Sequence, residues 1–121
     1  MTENFDRIAL AVDWLDACRN RDLAALLDLY ADDATLECEC GDARICNGRA
    51  ALEAYWRPRL GALAPNAFGL EEITPVAQEV VLDYLSHEGA PVRIVFGFAQ
   101  DGKIRKTSCT PMPAAFATAG G

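Results

Sequence analysis

The stretch DLYADDATLECECG, residues 28–41, changes its hydrophobic pattern partway along. Helical spacing ends near Tyr30, aspartates follow at 32 and 33, and apolar and polar residues then alternate from Ala34 to Cys40. Because successive side chains of a strand point to opposite faces, this pattern predicts a strand after a helix. Short carboxylates often bind backbone amides, so we interpret Asp32 and Asp33 as turn residues. The strand would direct Leu36, Cys38 and Cys40 to one face and Thr35, Glu37 and Glu39 to the other.

Apolar residues at helical spacing predict three helices around this strand. The first covers residues 4–20, and the second, capped by Asn20 or Asp22, covers residues 23–30 and stops at the two aspartates. The third opens at Asn47 and Gly48, and Pro58 within it removes a backbone amide, which predicts a kink or an early end. The three apolar stripes comprise Phe5, Ile8, Val12 and Leu15; Leu23, Leu26, Leu27 and Tyr30; and Leu52, Tyr55, Trp56, Leu60 and Leu63.

Turn signals divide the rest of the chain into strands. A Gly-Asp pair at 41 and 42 reverses the first strand into a short one through Ile45, and further strands are predicted at 70–74, 79–85, 92–99 and 103–110. Helices followed by consecutive antiparallel strands indicate an α+β fold with the helices on one face of a curved sheet. Residues 1–110 would form this single domain, and the proline-broken residues 111–121 a flexible tail.

The composition limits the possible functions. A chain of 121 residues with 51% hydrophobic and 24% charged residues can form one ordinary core. No apolar run approaches the roughly 20 residues of a membrane helix, and the first residues include acids, so we expect a cytoplasmic protein with no membrane partner. The net charge of -7 would repel a nucleic acid. Five cysteines in such a chain are interpreted as thiols.

Three segments carry a resemblance to a known family: RDLAALLDLYADDATLE at 21–37, NGRAALEAYWR at 47–57 and DGKI at 101–104. With the first helix they span residues 5–110 and resemble the nuclear transport factor 2-like (NTF2-like) superfamily, in particular its SnoaL-like and ketosteroid-isomerase-like members. The resemblance implies a cone-shaped, cystatin-like roll of three N-terminal helices on a curved, mixed but mostly antiparallel sheet. It also implies an apolar cavity for a small hydrophobic molecule and a homodimer, with no cofactor.

The ketosteroid isomerase site does not carry over to this sequence. The resemblance aligns Cys38 with the family's general base, an aspartate, and Trp14 with its oxyanion-hole tyrosine. Ile94 replaces the aspartate that is the second oxyanion donor, Tyr30 retains one supporting tyrosine, and Trp56 replaces the other. A thiol, an indole and a butyl group cannot abstract a carbon-bound proton and hold the enolate. Steroid isomerase activity is therefore not expected, and no Asp-Arg-Asp arrangement of the limonene epoxide hydrolase type is placed in the pocket.

The resemblance and the strand alternation together nominate residues for the cavity. Three are candidate proton handlers in catalysis, namely Asp83, Tyr30 and Cys38. Asp83 would reach the cavity if its strand face is interior; if Leu82 and Tyr84 face inward instead, Asp83 is an ordinary outer residue. The eight candidates for contact with a ligand are Trp14, Tyr30, Cys38, Trp56, Ile94, Phe96, Thr107 and Cys109.

The sequence leaves two further points open: the role of Arg105 and whether cysteines form a metal site. Arg105 shares a predicted strand face with Thr107 and would meet a carboxylate at the cavity rim; the alternative is an exposed arginine beside a buried threonine. A soft-metal site would need Cys46 on the same face as Cys38 and Cys40, which depends on the hairpin register. A fourth ligand is not evident, so no metal site is predicted.

Three functions remain open at this stage. The chain is a binding domain for a small apolar molecule, or an enzyme of isomerase, cyclase, dehydratase or hydrolase type that acts by acid-base chemistry, or a protein-interaction module. A titratable group with a shifted pKa inside the cavity would favour the enzyme, and a cavity blocked by aromatic side chains would favour the interaction module. The only histidine, His87, is interpreted as a solvated turn residue.

Overall fold

Three helices and a six-stranded sheet make up the protein in a computed structural model, which describes residues 6–39, 44–62, 68–86 and 89–112. The helices are α1 (Arg7–Arg19), α2 (Leu23–Leu29) and α3 (Arg49–Ala62). The strands are β1 (Tyr30–Cys38), β2 (Arg44–Asn47), β3 (Gly69–Val76), β4 (Glu79–Leu85), β5 (Pro91–Phe98) and β6 (Ile104–Pro111). None of the described helices has the length and hydropathy needed to cross a membrane.

The strands lie in the order β2-β1-β6-β5-β4-β3. β1 and β6 pair in parallel, and the other four pairs are antiparallel. The predicted α+β class and the mixed, mostly antiparallel sheet are therefore confirmed. α1 contacts β3 and β4, whereas α3 contacts β1 and β2, so the helices cover one face of the sheet from two sides. The cavity described below lies between them.

The predicted apolar stripe of the first helix is confirmed only in part, because Leu15 is buried and Val12 is partly buried whereas Ile8 is exposed. Asp6 caps α1 by accepting hydrogen bonds from the backbone amides of Ile8 and Ala9. The side chain of Ile8 is 39% exposed, so its assignment to the inner stripe was wrong, and Phe5 lies outside the described residues. Small side chains allow the helix to approach its neighbours closely, and the buried set is Ala11, Trp14, Leu15, Ala17 and Cys18.

The junction between α2 and β1 lies earlier than the sequence predicted. Asp22 caps α2, and the helix ends at Leu29 because Tyr30 already has extended backbone angles (φ -90°, ψ 145°). Tyr30 begins β1 and pairs with Ile104 of the parallel strand β6. The backbone groups of this segment therefore find hydrogen-bond partners in β6 instead of in a further turn of helix. Asp32 and Asp33 are exposed strand residues, so their prediction as turn residues was wrong. The alternation from Leu36 to Cys38 is confirmed, with both side chains buried.

Four residues of the predicted apolar stripe of the third helix are buried, and the fifth, Leu63, lies outside the described residues. Of the two predicted effects of Pro58, a kink or an early end, the early end is not observed. The helix begins after Gly48, whose φ of +87° suits a residue without a Cβ atom. It runs through the exposed Pro58 to Ala62. Proline is tolerated here because its ring lies on the solvent side, where a freed carbonyl is hydrated. The buried residues are Leu52, Tyr55, Trp56 and Leu60.

A bulge in β6 decides which of its residues face the helices. Adjacent residues of β5 pair with Lys106 and Ile104 of β6, so the intervening Arg105 is an extra residue without a partner in that register. Ile104 and Thr107 are both buried as a result, and Arg105 is exposed. The alternative of an exposed arginine beside a buried threonine is confirmed. β6 ends at Pro111, and residues 113–121 of the predicted tail lie outside the described ranges.

Candidate functional site

A cavity of about 370 Å³ lies between α1, α3 and the inner face of the sheet and is partly open to solvent. Its wall is mostly apolar and aromatic. The structure places six of the eight predicted contact residues there: Trp14, Cys38, Trp56, Ile94, Thr107 and Cys109. The other lining residues are Leu36, Tyr55, Arg59, Ala62, Phe68 and Tyr84. Tyr30 and Phe96, the two remaining predicted contacts, are buried behind this wall.

Trp14 lies at the centre of an aromatic cluster that forms one side of the cavity. Its ring meets those of Trp56, Phe68 and Phe96 edge to face, at centroid distances of 5.8, 5.6 and 5.2 Å. Such edge-to-face contacts are the favoured geometry for aromatic pairs. Phe96 is 0% exposed and packs behind the indole, so it does not reach the cavity itself.

A small hydrogen-bond network fixes the indole of Trp14. Its Nε1 donates to the Tyr30 hydroxyl at 3.1 Å, and that hydroxyl is 3.3 Å from Oγ1 of Thr107. The buried Nε1 of Trp56 has no hydrogen-bond partner among the described residues, but it lies near the Tyr30 hydroxyl and acts to lower the pKa of that phenol. Burial nonetheless dominates and raises the pKa of Tyr30 to about 12. The phenol therefore stays protonated at neutral pH and is not a base there.

Tyr30 should make the folded state sensitive to alkali. Its pKa is 10 in the unfolded chain and about 12 when folded, so its contribution to stability is complete below pH 10 and is lost as the pH rises from 10 to 12. We expect Tyr30→Phe to flatten the fall in the free energy of unfolding over that range, measured by urea titration. At neutral pH the variant should lose about 1–3 kcal/mol, because the Trp14 N–H loses its acceptor. Identical pH slopes for the variant and the wild type would contradict this role.

The cavity wall carries two neighbouring cysteines. Cys38 of β1 and Cys109 of β6 are paired positions on adjacent parallel strands, and both line the cavity. Cys46 shares their face but pairs with Leu36 and does not line the cavity. Cys40, the third member of the predicted cysteine group, lies outside the described residues.

The structure places Asp83 away from the cavity. Val80 and Leu82 are fully buried on the inner face of β4. Because successive strand residues alternate between faces, Asp83 points to the outer face. The Asp83 carboxylate accepts hydrogen bonds from Nε of Arg93 at 2.8 Å and from Nη2 at 3.1 Å. This bidentate pair occupies the carboxylate, so the arrangement that would let Asp83 handle protons in the cavity is absent. His87 lies outside the described residues.

Several wall residues were not predicted as ligand contacts, although some left a signal. Tyr55 belongs to the predicted stripe of α3, and Arg59 follows it by one helical turn on the same side. Phe68 falls in a segment predicted to be a loop, and Nη2 of Arg19 donates to its carbonyl oxygen at 2.6 Å, which ties the loop end to α1. Tyr84 was expected only as the alternative to Asp83. Periodicity alone does not distinguish a cavity wall from a filled core.

Comparison with known proteins gives a consistent picture of the fold. The family profile described as the SnoaL-like domain matches residues 11–107. The structure is similar to a SnoaL-like protein of unknown function from Burkholderia thailandensis, with 23% identity, a TM-score of 0.78 and coverage of 88% of this chain and 95% of that one. No protein of curated description matches the sequence.

Two further solved structures illustrate the range of proteins with this fold. The epoxide hydrolase/cyclase-like enzyme SalBIII, which acts in pyran ring formation in the polyether salinomycin, is 17% identical, with a TM-score of 0.71 over 88% of this chain and 90% of that one. An NTF2-like protein of unknown function from Cytophaga hutchinsonii is 12% identical, with a TM-score of 0.70 over 97% and 99%. At these identities the likeness extends to the fold alone.

Proposed function

Because the chain belongs to the SnoaL-like domain family and has the NTF2-like fold, we propose that it binds a small, largely apolar molecule in its cavity. The observation that carries the proposal is the open space itself. About 370 Å³ remains between helices and sheet even though the wall contains two tryptophans, a phenylalanine and two tyrosines. Large aromatic side chains that could have filled the interior instead surround it.

The size and lining of the cavity indicate the kind of molecule that fits. Ligand sites commonly measure about 300–1,000 Å³, so this one suits a compact guest with one or two rings. Burying roughly 200 Å² of apolar ligand surface would gain about 5 kcal/mol before the cost of lost freedom is subtracted. The apolar wall therefore supplies a favourable contribution, and polar contacts of the ligand add to it.

The titratable groups favour binding over acid-base catalysis. Among the described residues that line the cavity there is no carboxylate and no imidazole. Burial raises the pKa of the Tyr55 phenol well above its usual range, so that group remains protonated at neutral pH. A proton abstraction near neutrality would need a base, and the described wall offers neither of the two side chains that most often serve as one. The open cavity likewise argues against an interaction module whose cone is filled.

An enzyme is the second candidate, and its support is the structural likeness to SalBIII. In such an enzyme the protonated Tyr30 would act through Thr107, which accepts or donates at 3.3 Å and itself lines the cavity. A hydroxyl of this kind polarises a substrate oxygen rather than removing a proton. Catalytic conversion of an apolar epoxide that Tyr30→Phe abolishes while binding persists would favour this candidate over simple binding.

Occupancy of the cavity should protect one cysteine from chemical modification. Cys109 is half-buried in the cavity wall, whereas Cys18 is 0% exposed and lies outside it. We expect hydrocinnamide or hydrocinnamate to slow alkylation of Cys109 by iodoacetamide several-fold. Both probes carry a phenyl ring on a saturated side chain and do not react with thiols. Peptide mass spectrometry measures both sites in one sample, and Cys18 reports general opening of the fold.

Selective protection of Cys109 would locate the probes in the cavity. Equal slowing at Cys109 and Cys18 would mean only that the whole fold had become more stable. Unchanged alkylation of Cys109 with both probes at millimolar concentration would show the proposed binding site to be wrong.

A further inference from the structure

Arg59 is the charged residue of an otherwise neutral cavity. Among the described residues that line the space, it alone carries a charge at neutral pH. The groups that act on its guanidinium are Tyr55, Cys38 and Cys46, which are neutral side chains. Within the described ranges no carboxylate forms an ion pair with it, although four other cations do find one: Arg49 with Asp28, Arg57 with Glu53, Arg93 with Asp83 and Lys106 with Glu37.

Among the described residues Arg59 lacks a carboxylate partner although the chain is rich in acidic residues. The protein has 18 acidic and 11 basic residues, so carboxylates are abundant enough to neutralise every cation. Burial of the Arg59 guanidinium opposes its charge, but a hydrogen bond with the Tyr55 side chain and smaller electrostatic interactions together outweigh this effect and raise the pKa of the guanidinium, so the cation is retained in the cavity wall. An anion from outside the chain that entered the cavity would supply the missing counter-charge. The last turn of α3, where Arg59 lies, stabilises the cation only in part through the helix dipole.

The guanidinium is also held ready for a planar partner. Its Cζ atom lies 4.0 Å from the centroid of the Tyr55 ring, one helical turn earlier on α3. The contact with the aromatic face restricts the rotamers of the long side chain, and the guanidinium N–H groups that Tyr55 does not engage can donate to a ligand. Less conformational entropy is then lost when a ligand binds. Two parallel N–H donors in the guanidinium plane match the two oxygens of a carboxylate.

From this arrangement we infer that the cavity takes an apolar monocarboxylic acid, whose carboxylate binds Arg59 at the wall while its apolar body lies against Trp14, Trp56 and Ile94. The inference rests on the proposed function, because it names the class of molecule that the same cavity binds. It differs from the rim contact expected from sequence, which assigned a carboxylate to Arg105. That residue is exposed through the β6 bulge and does not line the cavity.

The charge balance selects a monoanion. One guanidinium neutralises one carboxylate, whereas a phosphate monoester or a dicarboxylate would carry a second charge into a wall of aromatic and aliphatic side chains. Burying an uncompensated charge is far more costly than burying a neutral group of the same size. The overall charge of -7 also repels anions, so only a specific local cation overcomes that repulsion.

The test compares an acid with its neutral amide of nearly equal shape. We expect calorimetric titration of the wild-type chain to show hydrocinnamate binding about tenfold more tightly than hydrocinnamide, as a charge-assisted pair predicts. In Arg59→Gln the two probes should bind equally. In Arg59→Lys the preference for the acid should fall to a few-fold, because the charge remains but the planar fork is lost. Added salt should weaken binding of the acid and leave binding of the amide unchanged.

The matched control is Arg57→Gln on the same helix. Its guanidinium pairs with Glu53 and its side chain is 65% exposed, so this variant removes one positive charge without touching the cavity. The preference for the acid should survive in it. Circular dichroism verifies that each variant is folded. If Arg59→Gln is unstable, Arg59→Lys, which keeps a cation beside Tyr55, measures how far the preference for the acid depends on the guanidinium.

The outcomes separate the inference from the function on which it rests. Equal affinity of the wild type for acid and amide would overturn the monocarboxylate inference and leave the proposed function intact. Loss of the acid preference in Arg57→Gln to the same extent as in Arg59→Gln would mean a general field effect, which also overturns it. Binding of neither probe, together with unprotected Cys109, would refute the proposed function and the inference together.

Discussion

Replacement of Trp14 by alanine should destabilise the protein by about 3–5 kcal/mol, the range for loss of a large buried aromatic side chain. The indole is 2% exposed and contacts three aromatic rings, so its removal leaves a void among groups that cannot collapse into it. It also removes the donor to the Tyr30 hydroxyl. Because domains of this size are stable by only about 5–15 kcal/mol, the variant should approach the limit of folding. Urea unfolding followed by far-UV circular dichroism measures the change.

Trp14→Phe separates the packing of the ring from its hydrogen bond. The phenyl ring retains part of the edge-to-face contact with Phe96, while Tyr30 loses its indole donor and keeps Thr107. We expect a smaller loss of about 1–3 kcal/mol. A loss below about 1 kcal/mol for Trp14→Ala would contradict the central position assigned to this side chain.

Replacement of Leu82 by asparagine should be at least as damaging. The side chain is 0% exposed at the middle of β4, and the substitution combines loss of apolar burial with an amide that has no partner in the core. Leucine deletion in cores costs about 2–5 kcal/mol, and an unpaired buried amide adds about 1–3 kcal/mol. We expect little folded protein at room temperature, as judged by the dispersion of its NMR spectrum and by its unfolding midpoint in urea.

The neighbouring substitution Asp83→Asn is the matched control for the direction of the strand faces. It removes a partly exposed ion pair with Arg93 on the opposite face, so the expected loss is at most about 1 kcal/mol. If Asp83 faced the cavity instead, the two variants would exchange their effects. Comparable stability losses at both positions would refute the assignment of Leu82 to the inner face.

Predictions from local periodicity succeeded where one face of an element is uniformly buried. The stripe of Leu52, Tyr55, Trp56 and Leu60 on α3 was read correctly, because four apolar residues at helical spacing leave no second choice of face. The face of the first helix was predicted only in part: Leu15 is buried as expected, but Ile8 is apolar yet 39% exposed, whereas small residues such as Ala11 and Ala17 take the interior. Hydrophobicity marks the residues that can be buried, and neighbouring elements select which of them are.

The cavity shows the same division. Alternation together with the family resemblance directs Cys38, Ile94, Thr107 and Cys109 inward, and the structure brings them to one wall. Tyr30 and Phe96 also face inward, but they lie behind Trp14 and never reach the open space. Pointing into the interior and lining a cavity are different properties, since the second depends on which larger side chain lies in front.

By itself the sequence determined the number and kind of elements and the α+β class, because these follow from periodicities that each segment carries alone, whereas it left open which strand faces line the cavity. The tertiary structure decided the rest. The bulge that turns Arg105 outward arises from the pairing of β6 with its neighbours, and the place of Arg59 at the cavity wall depends on how α3 lies against the sheet. Register and helix placement are set by contacts between segments far apart in the chain, and a local pattern contains no record of them.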